Sequence, residues 1–353
     1  MLRSSSLWNL YIARLREFYR QPARVFWVYG FPIVLAVVLG LAFNSGEPQT
    51  VVVDVIDRGE ARTIFGLMGA AVAPEEGRVG VALNLVGPEE AALRLQRGQT
   101  PLVVESTGPN AVTYRYDPTR PEALAARAAF DDAYQRALGR QDVAETHDAI
   151  IDEPGSRYVD FLIPGLIGVN AMGGGLWGIG FLLVNFRIGK LLKRFQATPM
   201  PRRNFLLAVL GARITFLAPD LAILLSLGVL GFGMPIRGNL GLVILVDVIG
   251  ALAFAGIGLL VASRAQSTEA VSGLMNLVMI PMWLFSGVFF SYENFPESMH
   301  PFIKALPLTQ LVDALRRVIL EGAGLLGVGT NLVILAVWAV ATFLIALRIF
   351  RWS

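Results

Sequence analysis

Six stretches of this chain, at 26–43, 158–186, 205–232, 240–262, 271–290 and 327–350, are long and almost free of charge. A helix needs about 20 apolar residues to cross roughly 30 Å of hydrocarbon. Only a helix or a closed barrel satisfies its own backbone hydrogen bonds there. The last stretch holds no charge from Asn331 to Leu347, and the third is the weakest because Arg213 and Asp220 interrupt it. Composition agrees: the chain is 54% hydrophobic and 16% charged, where a soluble domain carries about 25% charge. The pattern predicts a polytopic α-helical membrane protein with six transmembrane helices.

The absence of cysteine excludes disulfides, thiolate metal sites and cysteine nucleophiles. The two histidines, His147 and His300, are far apart in sequence, which argues against a histidine-rich metal site. The first apolar run follows a basic, aromatic stretch, which predicts no cleaved signal peptide. Lys and Arg near span ends favour the cytoplasmic side. Five arginines against Glu17 precede the first span, the loop after the second holds six basic residues and no acid, and Arg348 and Arg351 follow the sixth. With six spans all three groups fall on one side, so both termini are expected in the cytoplasm.

Residues 44–157 differ in kind. From Glu47 to Arg157 there are 18 acidic and 11 basic residues, a net charge of −7. "VVVDVID" (51–57) and "PLVVES" (101–106) read as buried or half-buried strands, and "AVTYRYD" (111–117) alternates. "PEEAALRLQRG" (88–98) and "RPEALAARAAFDDAYQRALG" (120–139) read as helices opened by Pro and closed by Gly. The expectation is a small α+β extracytoplasmic domain between spans one and two.

Four further segments bear on function. Residues 1–25 form an amphipathic interfacial helix: Leu7, Tyr11, Leu15 and Phe18 share one face, and Asn9, Arg14, Arg16 and Arg20 the other. The loop 187–204 contains "RIGKLLKRFQA" (187–197), with two to three turns of helix in it, and Thr198, Pro199 and Pro201 end that helix. A stiff basic helix projecting from two spans is a handle by which another protein moves this one; a topology signal alone needs the charge but not the stiffness. Region 291–326 has too many charges and prolines to span. Its Leu308, Leu311, Val312, Leu315 and Ile319 share a face opposite Asp313, Arg316 and Arg317, which predicts two short re-entrant helices in the outer leaflet. Within the spans, Gly174 and Gly178 are spaced for close helix packing, inside one chain or between two. Arg213, Asp220 and Asp247 are costly intramembrane charges. Arg213 and Asp220 lie too far apart for a direct ion pair, and Asp247 is a candidate partner; structural pairing and a polar transport path both remain open.

"GKLLKRFQATPMPRRNFLL" (189–207) resembles the cytoplasmic loop of the permease subunits of type-2 ABC exporters. "LLVASRAQSTEAVSGLMNLVMIPMWLFSGVFF" (259–290) is similar to that family's fourth and fifth spans, and "FPESMHPFIKALPLTQLVDALRRVILEG" (295–322) to its outer re-entrant region. Many members carry an acid just before the loop glycine, where this chain has Arg187 and Ile188. The resemblance implies an exporter permease in a bacterial inner membrane. It would pair with a second permease copy or paralogue and with two ABC ATP-binding subunits, and it would export an amphipathic or lipid-like substrate; nucleic acid is not among the partners. Gly189, Lys190, Leu191, Lys193, Arg194, Thr198 and Pro199 would be the contacts to the ATPase. No cofactor would be bound directly and ATP would sit in the partner, because the single Gly-Lys pair, Gly189-Lys190, is followed by Leu191 rather than the Ser or Thr of a phosphate-binding loop. Two other readings stand beside it: a membrane-anchored sensor acting through its outer domain, and an ion-coupled transporter using Asp220 and Asp247.

Overall fold

The computed structural model describes residues 6–43, 50–69, 71–73, 79–108, 111–141, 157–191, 194 and 201–349. It divides into two compact units, Ser45–Ile151 and the remainder of the chain on either side of that insertion.

The larger unit opens with helix α1 (Ser6–Tyr19). Six helices long and apolar enough to cross a membrane follow: Pro22–Ala42, Tyr158–Ile188, Leu207–Gly231, Leu240–Ala262, Thr268–Phe285 and Gly329–Ile349, spans one to six. Exposed Leu277 and Leu284 on span five, and Val333 and Val337 on span six, form apolar faces suited to lipid, not to water. The chain is a multi-pass membrane protein. Span one starts at Pro22, ahead of the expected residue 26, because Gln21 is extended and proline suits a first helical position. Span five stops at Phe285, short of residue 290, because Ser286 turns the chain and Gly287 adopts φ +71°, a conformation that favours glycine.

Close approach at glycine sets how the spans pack. A Cβ on Gly258 of span four would lie 2.5 Å from the Gly175 carbonyl oxygen of span two, and one on Gly175 would lie 2.5 Å from the Phe254 Cβ. The seam sits one residue away from the expected pair. Gly174 seats the Arg213 side chain of span three rather than a neighbouring backbone, and Gly178 faces open space.

Before span six come α2 (His300–Ala305) and α3 (Pro307–Ile319). Leu308, Leu311, Val312, Leu315 and Ile319 of α3 do share a face, and all five are buried. That face meets protein, not only lipid: a Cβ on Gly168 of span two would lie 2.7 Å from Val312, and one on Gly250 of span four 2.6 Å from Leu311. Arg316 does not stay on the opposite face. Its guanidinium lies 3.4 Å from the centre of the Phe161 ring and donates to the Gly287 carbonyl at 2.7 Å and the Phe161 carbonyl at 3.0 Å, joining α3 to span two and to the turn after span five.

The inserted unit is a five-stranded sheet. Its strands are β1 (Thr50–Ile56), β2 (Ala71–Val72), β3 (Gly80–Val86), β4 (Leu102–Gly108) and β5 (Ala111–Arg115), in the order β2-β3-β1-β4-β5. The central β3, β1 and β4 are parallel, and the edges β2 and β5 run antiparallel. Ala61–Met68 and Pro121–Ala137 cover one face through Ile64, Ala126 and Phe130, while Pro88–Gln96 covers the other through Ala91. This layering is α/β in its centre, where α+β was expected, because parallel neighbours require helical crossovers. Both helices expected from Pro and Gly punctuation are present, with Gly98 at φ +69° and Gly139 at φ +96° after their ends. Asp54 is buried on β1 and accepts from Arg94 Nε at 2.7 Å and Asn84 Nδ2 at 3.3 Å, a charge tolerated because it is paired.

Two outcomes test this packing. Gly175→Ala should destabilise the detergent-solubilised protein by about 1–3 kcal/mol through overpacking, while Gly178→Ala should melt like the parent; equal melting of both variants would refute the seam. Burial pushes the Asp313 carboxyl up to about 6, against the pull of Arg316, from an unfolded value of 3.8. A raised carboxyl contributes stability that is complete below pH 3.8 and is lost as pH rises through about 6. Thermal unfolding should therefore show greater stability at pH 5 than at pH 7.5, by at most about 1.4 kcal/mol, and Asp313→Asn should flatten that difference.

Candidate functional site

Helix α1 packs on the beginning of span three. Phe18 is buried and stacks on Phe216 at 4.2 Å between ring centres, and Tyr11 and Thr215 share a hydrogen bond of 2.8 Å. Arg14, expected on the polar outer face, turns inward: it pairs with Glu17 and lies 5.3 Å from the Phe186 ring centre. Between α1, the start of span one, the second half of span two and the first half of span three lies a cavity of about 450 Å³, within the usual range of ligand pockets. Trp27, Trp177, Phe181 and Phe216 supply much of its apolar wall, and Arg14, Arg24, Arg213 and Glu17 its charge. Span two borders it with a wide helical turn at Leu176–Phe181, an irregularity frequent at functional sites.

Arg213 is the deepest of these cations, only 7% exposed. Its guanidinium lies over the bare backbone of Gly174, in space that a Cβ would occupy. It donates to the Asn170 main-chain oxygen at 3.0 Å. The Asn170 side-chain amide in turn donates to Asp220 at 2.7 Å. Asp247 is buried nearby on span four, and its Oδ1 has no hydrogen-bond partner among the described residues. The three intramembrane charges thus gather at one place. Among the described residues no ion pair joins Arg213 to Asp247, and Asn170 is the bridge to Asp220. Sequence reasoning misses Asn170; the available signal is one amide in the otherwise apolar run 161–184. Pro219 lies within an uninterrupted helix from Arg202 to Ser226.

At the far end of span two, the helix stops at Ile188. Lys190 adopts φ +56°, the one non-glycine residue with positive φ among those described, a strained position. The backbone then takes up a helical bond again, Arg194 N–H to the Lys190 carbonyl at 3.2 Å. A loop helix continuous with span two is therefore not formed: Gly189 and Lys190 break it. Leu191 is half-buried and Arg194 exposed; Lys193, Thr198 and Pro199 lie outside the described residues. Arg187, where an acid was expected from the family pattern, donates to the carbonyls of Ala262 at 2.9 Å, Ser263 at 3.1 Å and Ala265 at 2.5 Å. It caps the end of span four, where a cation is favoured by the helix dipole.

Among the described residues no group of three potential metal ligands occurs. Six membrane-grade helices with a cavity among them define a multi-pass membrane protein. Residues 23–348 match the family of the ABC-2 family transporter protein, and the chain belongs to that family. It is 28% identical over 178 residues to ABC transporter G family member 20 of Dictyostelium discoideum, a match covering 50% of this chain and 24% of the relative. It is 31% identical over 100 residues to Nodulation protein J of Rhizobium meliloti (strain 1021), covering 28% of this chain and 38% of the relative. It is 30% identical over 129 residues to the inner membrane transport permease YhhJ of Escherichia coli (strain K12), covering 36% and 34% respectively. The chain thus spans between about a quarter and two fifths of the length of these relatives.

Asn170→Ala removes the donor to Asp220 and keeps the main-chain oxygen that holds Arg213. Thermal unfolding in detergent should show a loss of about 1–3 kcal/mol, and Asn170→Asp, which adds a third carboxylate, a larger one. Unchanged melting of both variants would mean that the amide bridges nothing.

Proposed function

We propose that this chain is the permease subunit of an ATP-driven exporter, without an enzymatic site of its own, moved by a separate ABC ATP-binding subunit that engages the loop 187–204. The observation that carries this reading is the end of span two. Arg187 clamps it to the end of span four, and directly after it Lys190 sits in a strained turn. A push on the basic loop therefore reaches two spans at once through a joint rather than a continuous rod, as a hinge element requires. Family membership and the description of one relative as an inner membrane transport permease support a place in a bacterial inner membrane. Both termini and the loop then face the cytoplasm, and the inserted acidic domain and α2–α3 lie outside, with α3 closing the outer end of the pathway. The functional unit is two permease chains with two ATP-binding subunits. The ring-lined cavity supports an amphipathic cargo moved outward, with Arg213, Asp220 and Asp247 as the polar element beside its path.

Mild-detergent purification of the tagged chain from its native membrane should recover an ATPase bearing nucleotide-binding motifs. Glu at Lys190, Lys193 and Arg194 together should abolish that recovery and reduce transport at least tenfold without impairing insertion. Full tolerance of the triple charge reversal would favour the sensor reading. Transport that needs an ion gradient and survives a disabled ATPase would favour the ion-coupled one.

A further inference from the structure

The cavity beside α1 holds an imbalance that the transport reading leaves unused. Arg14, Arg24 and Arg213 line it against one acid, Glu17. Glu17 is shared between Arg14 and, at 3.8 Å, Arg24. Asp220 and Asp247 are not part of the wall. Deepest in the cavity, Arg213 is buried, and its Nε has no hydrogen-bond partner among the described residues. An unsatisfied buried N–H of a cation is costly, and an anionic oxygen is the group that removes the cost. The remaining wall is aromatic, and Trp27, largely exposed, stands with Val28 on the span-one side of the cavity.

We propose that this cavity binds an amphiphile with an anionic head (carboxylate, phosphate or sulfate), the head on Arg213 and the apolar body against Trp27, Trp177 and Phe216. This rests on the reading of the chain as an exporter of amphiphiles and names the charge of the cargo. Arg14 on α1 and Arg24 at the start of span one attract the anion and disfavour cationic amphiphiles. Gly174 is needed so that the guanidinium reaches its place, and Gly178 leaves the floor open.

The test uses the full chain in nanodiscs of phosphatidylcholine, titrated with 11-bromoundecanoate, whose bromine quenches nearby tryptophan. The quenching lost in Trp177→Phe isolates the cavity from the general membrane signal. That component should saturate with the acid, and the methyl ester should bind at least tenfold more weakly. Arg213→Gln should weaken the acid at least tenfold. Gly178→Leu places its Cβ where no atom lies within 4 Å and extends into the cavity that Gly178 lines, so it should melt like the parent and lose saturable quenching. Equal binding of acid and ester, unchanged binding by Gly178→Leu, or quenching insensitive to Trp177→Phe would overturn the proposal. Complete displacement by millimolar inorganic phosphate would also overturn it, by showing a free-anion site. No ATPase takes part in this measurement. A failed titration alongside intact ATPase recovery rejects the anionic amphiphile alone, and the reverse result rejects the exporter.

Discussion

The guanidinium of Arg213 is the group around which one end of the helical unit is arranged. Burying a cation among apolar spans costs several kcal/mol unless its donors are used. Here the solution is steric before it is electrostatic. Span two omits a side chain at Gly174, so the guanidinium rests against the helix backbone and reaches the Asn170 carbonyl. Asn170 then passes the contact on to Asp220. Spans two and three are thereby joined through one arginine and one amide, with Asp247 of span four close behind. The arrangement leaves Arg213 bordering the cavity on one side and facing the buried Asp220 and Asp247 on the other.

The ends of the spans are held by a repeated device. Arg187 caps the last carbonyls of span four, Arg157 reaches the Phe232 carbonyl at the end of span three at 2.7 Å, and Arg316 takes the Gly287 carbonyl just past span five. Each places a cation where helix carbonyls lack partners and the dipole is negative. Two of the three belong to span two or its entry, so that span is tied at both ends to neighbours. Between the ties lies the glycine seam with span four. Span two therefore has few ways to move independently of its neighbours.

Much of the architecture is legible in the chain. The six apolar stretches form six helices, and the proline and glycine punctuation of the inserted domain marks two real helices. Sequence reasoning fails where a boundary depends on one backbone angle or on a partner elsewhere. Gly287 ends span five early, and Lys190 breaks a helix that propensity alone would continue. The α+β expectation for the inserted domain misses that β3, β1 and β4 run parallel, since strand direction is a property of connections and not of strands. Helical periodicity places Arg14 on the outer face, but Glu17 and the Phe186 ring draw it inward.

What the sequence determined by itself was the solvent of each segment. A window of about twenty apolar residues has no stable home in water, and that conclusion needs no knowledge of the rest of the chain. Tertiary structure alone decided which polar groups meet. Asn170 and Asp220 are 50 residues apart, and Arg187 and Ala265 are 78. Such pairs follow from helix packing set by glycines at close approach, and a glycine in a sequence does not say whether it faces a backbone, a guanidinium or empty space. At Gly175, Gly174 and Gly178 this chain shows all three in one helix.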